Sequence, residues 1–193
     1  VGKLGVEKSL EGDQRTPLGV YFITSSLNPK SLKDLYGTGA LPINYPNPLD
    51  TRRGKTGSGI WLHGTPSNQF SRAPKASDGC VVLANPDLNY LLKEVSIRTT
   101  PVVISEKLEW VQKTGQKPEE LQFIESLQNW RLAKSNADFD KLMGFYSNDF
   151  NSYDKNLVQW ARVLGEEVAK NKGSHISLSA LSMIRGVDKA DTM

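Results

Sequence analysis

The feature that most constrains this chain is a change of texture near Glu106. Before it, short β-branched and aromatic runs are cut every few residues by Gly or Pro, so no element there grows long. Thr16-Pro17-Leu18-Gly19 is a turn that leads into a strand at Val20-Tyr21-Phe22-Ile23-Thr24. Gly59-Ile60-Trp61-Leu62-His63, Cys80-Val81-Val82-Leu83 and Pro101-Val102-Val103-Ile104 read as three more strands, each too short for a helix. One helix is expected among them. Asn85 caps it, Pro86 takes its first position, Asp87 sits at the positive end of its dipole, and Leu88, Leu91, Leu92 and Val95 form its apolar face. Residues 35–55 and 67–78 read as loops, and long loops in compact domains are often functional.

After Glu106 the spacing becomes helical. Pro118-Glu119-Glu120 opens a helix that runs to about Lys134. Phe139, Leu142, Met143 and Tyr146 repeat at i, i+3, i+4, i+7, and so do Leu157, Trp160, Ala161 and Leu164. Trp130, Tyr146 and Trp160 fit apolar faces, so core packing is their expected role. Residues 175–184 alternate apolar residues with Ser and read as a closing strand. Helices followed by one lone strand do not complete a fold, because a strand needs partners. The expected organisation is therefore a mainly β domain over 1–107 and an incomplete α+β region over 108–193.

The chain has 193 residues, of which 38% are hydrophobic, so a packed core is expected rather than disorder. A net charge of +3 is too mild to indicate nucleic acid. No apolar run reaches the roughly 20 residues of a membrane span. The sequence begins Val1-Gly2-Lys3 rather than with Met, so residues are expected to be missing at its ends and no leader can be read.

One cysteine and two histidines bound the chemistry. A lone Cys is more often an inert buried thiol, and a lone His more often a hydrogen-bonded strand end. Here His63 ends one expected strand and Cys80 begins another. If those strands pair antiparallel, a thiol nucleophile and its base meet across the connecting loop. Gly79 before Cys80 permits close approach of a substrate, and the amides of Gly79 and Cys80 are the candidate oxyanion donors. The Gly64 carbonyl is a candidate acceptor for the second imidazole nitrogen, and a protonated His63 would favour the Cys80 thiolate. Arg72 in the connecting loop is a candidate for binding a substrate carboxylate. His175 has no partner motif and is taken as non-catalytic. Ligand spacing for a metal is absent, and no cofactor is called for.

His63-Gly64 followed by Ser77-Asp78-Gly79-Cys80 resembles the signature of the L,D-transpeptidase (YkuD-like) catalytic domain, a His, a loop, then [Ser/Thr]-His-Gly-Cys. Gly12-Asp13-Gln14-Arg15-Thr16-Pro17-Leu18-Gly19-Val20-Tyr21 resembles that family's entry strand, and Ser58-Gly59-Ile60-Trp61-Leu62-His63-Gly64 its approach to the catalytic His. The resemblance covers about residues 1–105. It implies a β-sandwich or barrel with a packed helix, with Cys80 as nucleophile, His63 as base, Gly64 as its orienting partner, and Ser77 and Asp78 beside the substrate. Asp78 replaces the commoner His, and Val82 stands where many members carry a polar or basic residue. Both departures resemble the branch of helical-cell-shape L,D-carboxypeptidases, in which an NTF2-like domain follows. Residues 124–193 resemble the start of such a domain.

The activity so implied is removal of a terminal D-Ala from tetrapeptide stems of peptidoglycan, through a thioester, in the periplasm or cell envelope. Transpeptidation through the same thioester is the alternative, and a silent wall-binding module is a third reading.

Overall fold

A computed structural model of the chain describes residues 1–107, 118–152, 154–179, 181 and 183. These fall into two compact units, one within Val1–Glu109 and one within Trp110–Met183. The expected boundary between 107 and 108 lies at the edge of the described residues.

The first unit carries strands β1 (Gly19–Phe22), β2 (Ala40–Pro42), β3 (Trp61–His63), β4 (Val81–Val82) and β5 (Pro101–Ile104), with helices α1 (Pro48–Arg52) and α2 (Asn85–Glu94). β1 pairs antiparallel with β5, Tyr21 facing Val102. β2, β3 and β4 form a second small sheet in that order. Isolated bridges at Ile23–Ile43 and Leu27–Ala40 join the chain after β1 to the β2 side of that sheet. The strands are short, two to four residues each, and no closed barrel forms among the described residues.

Residues 35–55 are not one loop. They hold part of a 3₁₀ turn (Asp34–Tyr36), β2 and α1. α1 opens with a capping box in which Asn47 and Asp50 bind each other's backbone amides, with Pro48 in its first turn. That signal is present in the sequence as Asn-Pro-x-Asp.

The core consists of Tyr21, Ile23, Leu41, Ile43, Tyr45, Ile60, Leu62 and Leu88, with Leu91, Leu92 and Val95 of α2 packed against it. Leu88 is fully buried, and burial of a leucine contributes about 2 kcal/mol. The apolar face of α2 is thus the one its spacing predicts. Its start is not. Ala84 occupies the N-cap with no side-chain hydrogen bond, and Asn85, one residue on, turns its carboxamide toward other loops.

In the second unit, α3 (Pro118–Ser135), α4 (Phe139–Met143) and α5 (Leu157–Lys170) surround Ala133, Leu142, Leu164 and Val168. Trp130, Tyr146 and Trp160 pack on that cluster, and the Trp130 indole donates to the Tyr146 hydroxyl at 3.2 Å. A capping box of Asn156 and Gln159 starts α5. β6 (Asn151–Ser152) and β7 (Lys155–Asn156) make a small hairpin. The expected closing strand is not formed at His175–Ser179, nor at Leu181 or Met183. No neighbouring strand edge pairs with those residues. The rest of that expected strand lies outside the described residues. No described helix is long and apolar enough to cross a membrane.

Candidate active site

β3 and β4 pair parallel, with Leu62 opposite Val81 and His63 opposite Val82. The antiparallel expectation is therefore corrected. A parallel pair cannot be closed by a tight turn and needs a long crossover, and residues 64–80 supply it. Faces alternate along each strand. Ile60 and Leu62 on one strand, and Val81 and Leu83 on the other, face the core. Trp61, His63 and Cys80 therefore belong to the opposite face, and the register sets Cys80 beside Trp61. Parallel pairing brings the histidine and the cysteine to one face of neighbouring strands.

His63 is 3% exposed. Its Nδ1 lies 2.7 Å from the Gly64 carbonyl oxygen. A carbonyl only accepts, so Nδ1 carries the proton and Nε2 presents the free lone pair. The Tyr36 ring meets the imidazole edge-on at 5.1 Å between centroids and also packs on Trp61 at 5.0 Å. Burial pushes the His63 pKa below its ordinary value; the Gly64 hydrogen bond opposes this and the Arg72 charge adds to it.

The Cys80 thiol is half-buried and donates to the Gly59 carbonyl at 3.5 Å. Among the described residues no hydrogen bond joins it to His63. Burial pushes the thiol above its ordinary pKa, a backbone hydrogen bond from Trp61 opposes that, and Asp78 adds to the rise. Both shifts favour the neutral imidazole and the protonated thiol, against the expectation that a protonated His63 would favour a Cys80 thiolate.

Ser77 lies inside the turn. Its hydroxyl donates to the Cys80 carbonyl at 2.6 Å and accepts from the Gly79 amide at 3.2 Å. That directs the Gly79 N–H, a candidate oxyanion donor, into the turn rather than toward a substrate. Gly79 has φ +132°, and a Cβ there would stand 2.8 Å from the Arg15 carbonyl oxygen and 2.9 Å from Ile60 Cδ1. Glycine is required on both grounds. Asp78 is exposed and binds Lys3 Nζ at 2.7 Å and Gln14 Nε2 at 3.2 Å. Arg72 donates to the Ala76 carbonyl at 3.0 Å, and its charge reaches His63. His175 is exposed and belongs to the second unit.

The segment before β1 braces this turn. Lys3 N donates to Ser77 O at 2.7 Å. Thr16 is fully buried, accepts from Gly2 N at 2.8 Å and donates to Gly79 O at 2.9 Å. Asp13 shapes the loop that presents Thr16, binding Lys8 at 2.8 Å and the amides of Ser9, Leu10 and Arg15. Burial would raise the Asp13 pKa, but Lys8 and those amides hold it well below the carboxylate range. Thr16 and Tyr36 were not among the expected site residues. Thr16 lay in the quoted Thr-Pro motif, whereas nothing local marks Tyr36.

The L,D-transpeptidase catalytic domain (YkuD) matches residues 1–104, more than half of the chain. The chain belongs to that family. Residues 122–193 match the Cds6 C-terminal NTF2-like domain. Among solved structures, Bd1075 of Bdellovibrio bacteriovorus is 33% identical with a TM-score of 0.60, over 82% of this chain and 57% of its own. The helical cell shape determining protein Pgp2 of Campylobacter jejuni is 30% identical with a TM-score of 0.60, over 90% of this chain and 59% of its own. The chain thus spans under two thirds of the length of those two proteins. No curated protein matches significantly.

Proposed function

We propose that the unit over residues 1–107 is an L,D-carboxypeptidase that removes terminal D-Ala from peptidoglycan tetrapeptide stems, and that 108–193 is an NTF2-like region. The observation that carries this reading is the placement of Cys80 and His63 on one face of parallel strands, with His63 Nδ1 bonded to Gly64. The kinship to a helical cell shape determining protein supports a cell-wall substrate and a periplasmic or envelope location.

In this reading the Cys80 thiol turns from the Gly59 carbonyl toward His63 Nε2. Nε2 takes its proton as Sγ attacks the carbonyl carbon before D-Ala. The Cys80 amide is the remaining candidate donor to the oxyanion, since the Gly79 amide is engaged by Ser77. The C–N bond then breaks, and the leaving amine takes the proton from Nε2. Water, losing a proton to Nε2, resolves the thioester and releases the thiol. An amine acceptor at that last step would make the same site a transpeptidase.

The test is incubation with purified muropeptides, products read by mass. Wild type should convert tetrapeptide to tripeptide stems with loss of D-Ala. Cys80→Ala should abolish turnover while the protein stays folded. Appreciable turnover by that variant would overturn the assignment of the nucleophile.

A further inference from the structure

We propose that Asn85 is a positioning residue that orients the His63 base through a single peptide plane. The proposal deepens the reaction above and rests on that reading for its catalytic consequence. The peptide between Gly64 and Thr65 is the link. Its carbonyl accepts from His63 Nδ1 at 2.7 Å. Its N–H, on the Thr65 side, donates to Asn85 Oδ1 at 3.2 Å. In a trans peptide these two groups point in opposite directions. An acceptor held behind the N–H therefore aims the carbonyl at the imidazole.

Other contacts hold the carboxamide in that position. Asn85 Nδ2 donates to the Thr65 carbonyl at 2.9 Å, so both backbone groups of Thr65 are bound by one side chain. Asn85 Oδ1 also accepts from the Thr38 amide at 3.1 Å. Gly64 N donates to Tyr36 O at 3.0 Å, which fixes the near end of the same segment. Glycines make the room. A Cβ on Gly37 or on Gly64 would run into Asn85 Oδ1. The helix carries the carboxamide on a rigid base, because Leu88 anchors α2 in the core.

The position of Asn85 favours this role over a helix-capping one. Asparagine is among the best N-cap residues, and a side-chain cap contributes roughly 1 kcal/mol. Here the cap is Ala84, which makes no such bond, while the carboxamide one residue later is directed at the loops around His63. Linked hydrogen bonds polarise one another, so the Thr65 N–H contact also strengthens the Gly64 carbonyl as an acceptor.

The experiment is nitrogen-resolved NMR of the His63 ring in the folded chain, with muropeptide turnover measured in parallel. Wild type should show the Nδ1–H tautomer. Asn85→Ala should show mixed tautomers and a fall in kcat of about tenfold or more, with KM less affected. Should the alanine variant not fold, Asn85→Ser, whose hydroxyl is too short to reach Thr65, takes its place. A folded Asn85→Ala or Asn85→Ser protein with a wild-type His63 signal would overturn the proposal. The ring signal needs no substrate. A wild type that fails on muropeptides would therefore sink the proposed reaction without touching this assignment.

Discussion

The Thr16 hydroxyl donates to the Gly79 carbonyl at 2.9 Å and so ties the chain before β1 to the turn that carries Cys80. The same oxygen accepts from the Gly2 amide at 2.8 Å. A fully buried hydroxyl with both a donor and an acceptor partner cannot be removed without stranding one of each.

Thr16→Val keeps the shape and deletes these bonds. The variant is expected to lose about 1–3 kcal/mol of stability, read by chemical denaturation. Modification of Cys80 by iodoacetamide should also change in rate, since the turn before it loses its tether. Unchanged stability would show that Gly2 and Gly79 find other partners.

How much of this was legible in the sequence depends on whether a signal is local. Gly79 announces itself, because its backbone conformation admits only glycine. The spacing of Leu88, Leu91, Leu92 and Val95 fixes the buried face of α2 for the same reason. The pairing sense of β3 and β4 is not local. Antiparallel pairing would set the end of one strand beside the start of the next, whereas the parallel register sets His63 opposite Val82, and only the long crossover through residues 64–80 favours the parallel sense. Asn85 and Tyr36 were misread or missed because their partners, Thr65 and the His63 ring, are distant in sequence. Asn85 read as a cap because caps are its commonest use. The strand expected at 175–184 rested on alternation alone, and over its described residues no neighbouring strand edge pairs with it.

His63 and His175 make a contrasting pair. His63 is buried with Nδ1 bonded to a carbonyl, whereas His175 is exposed in the other unit. His63→Ala is expected to lower muropeptide turnover more than about 100-fold, the range for a positioned general base. His175→Ala should leave it unchanged. Equal losses from both would show that the base has been misassigned.

The resting protonation state sets the pH behaviour. Burial raises the Cys80 pKa and lowers that of His63, so at neutral pH the thiol keeps its proton. Alkylation by iodoacetamide should rise with pH through a midpoint above the ordinary thiol value of about 8.5. A plateau already reached near pH 6 would mean a preformed thiolate–imidazolium pair. Stability follows the same groups. Below about pH 6.5 the unfolded chain takes a proton that folded His63 resists, so stability falls with acid. Above about pH 8.5 the unfolded thiol ionises first, so stability falls there too.

Asp78 is the residue expected to separate hydrolysis from transfer. Its carboxylate is 72% exposed and pairs with Lys3 at 2.7 Å. An exposed pair of this kind is worth about 0–1 kcal/mol, so changing either partner should leave the melting temperature almost unmoved. The charge itself acts on the site, because Asp78 adds to the rise in the Cys80 pKa. Asp78→His should therefore move the alkylation midpoint to lower pH. Lys3→Ala leaves the carboxylate uncompensated and should move it higher. An uncompensated negative charge beside Cys80 also repels an acceptor stem that carries a carboxylate, but not water. The ratio of cross-linked dimer to tripeptide in a muropeptide digest should then rise for Asp78→His and fall for Lys3→Ala. Both variants moving the same way would show that charge is not the cause. Abundant dimer from the wild type would overturn the preference for hydrolysis and leave Cys80 and His63 in their roles.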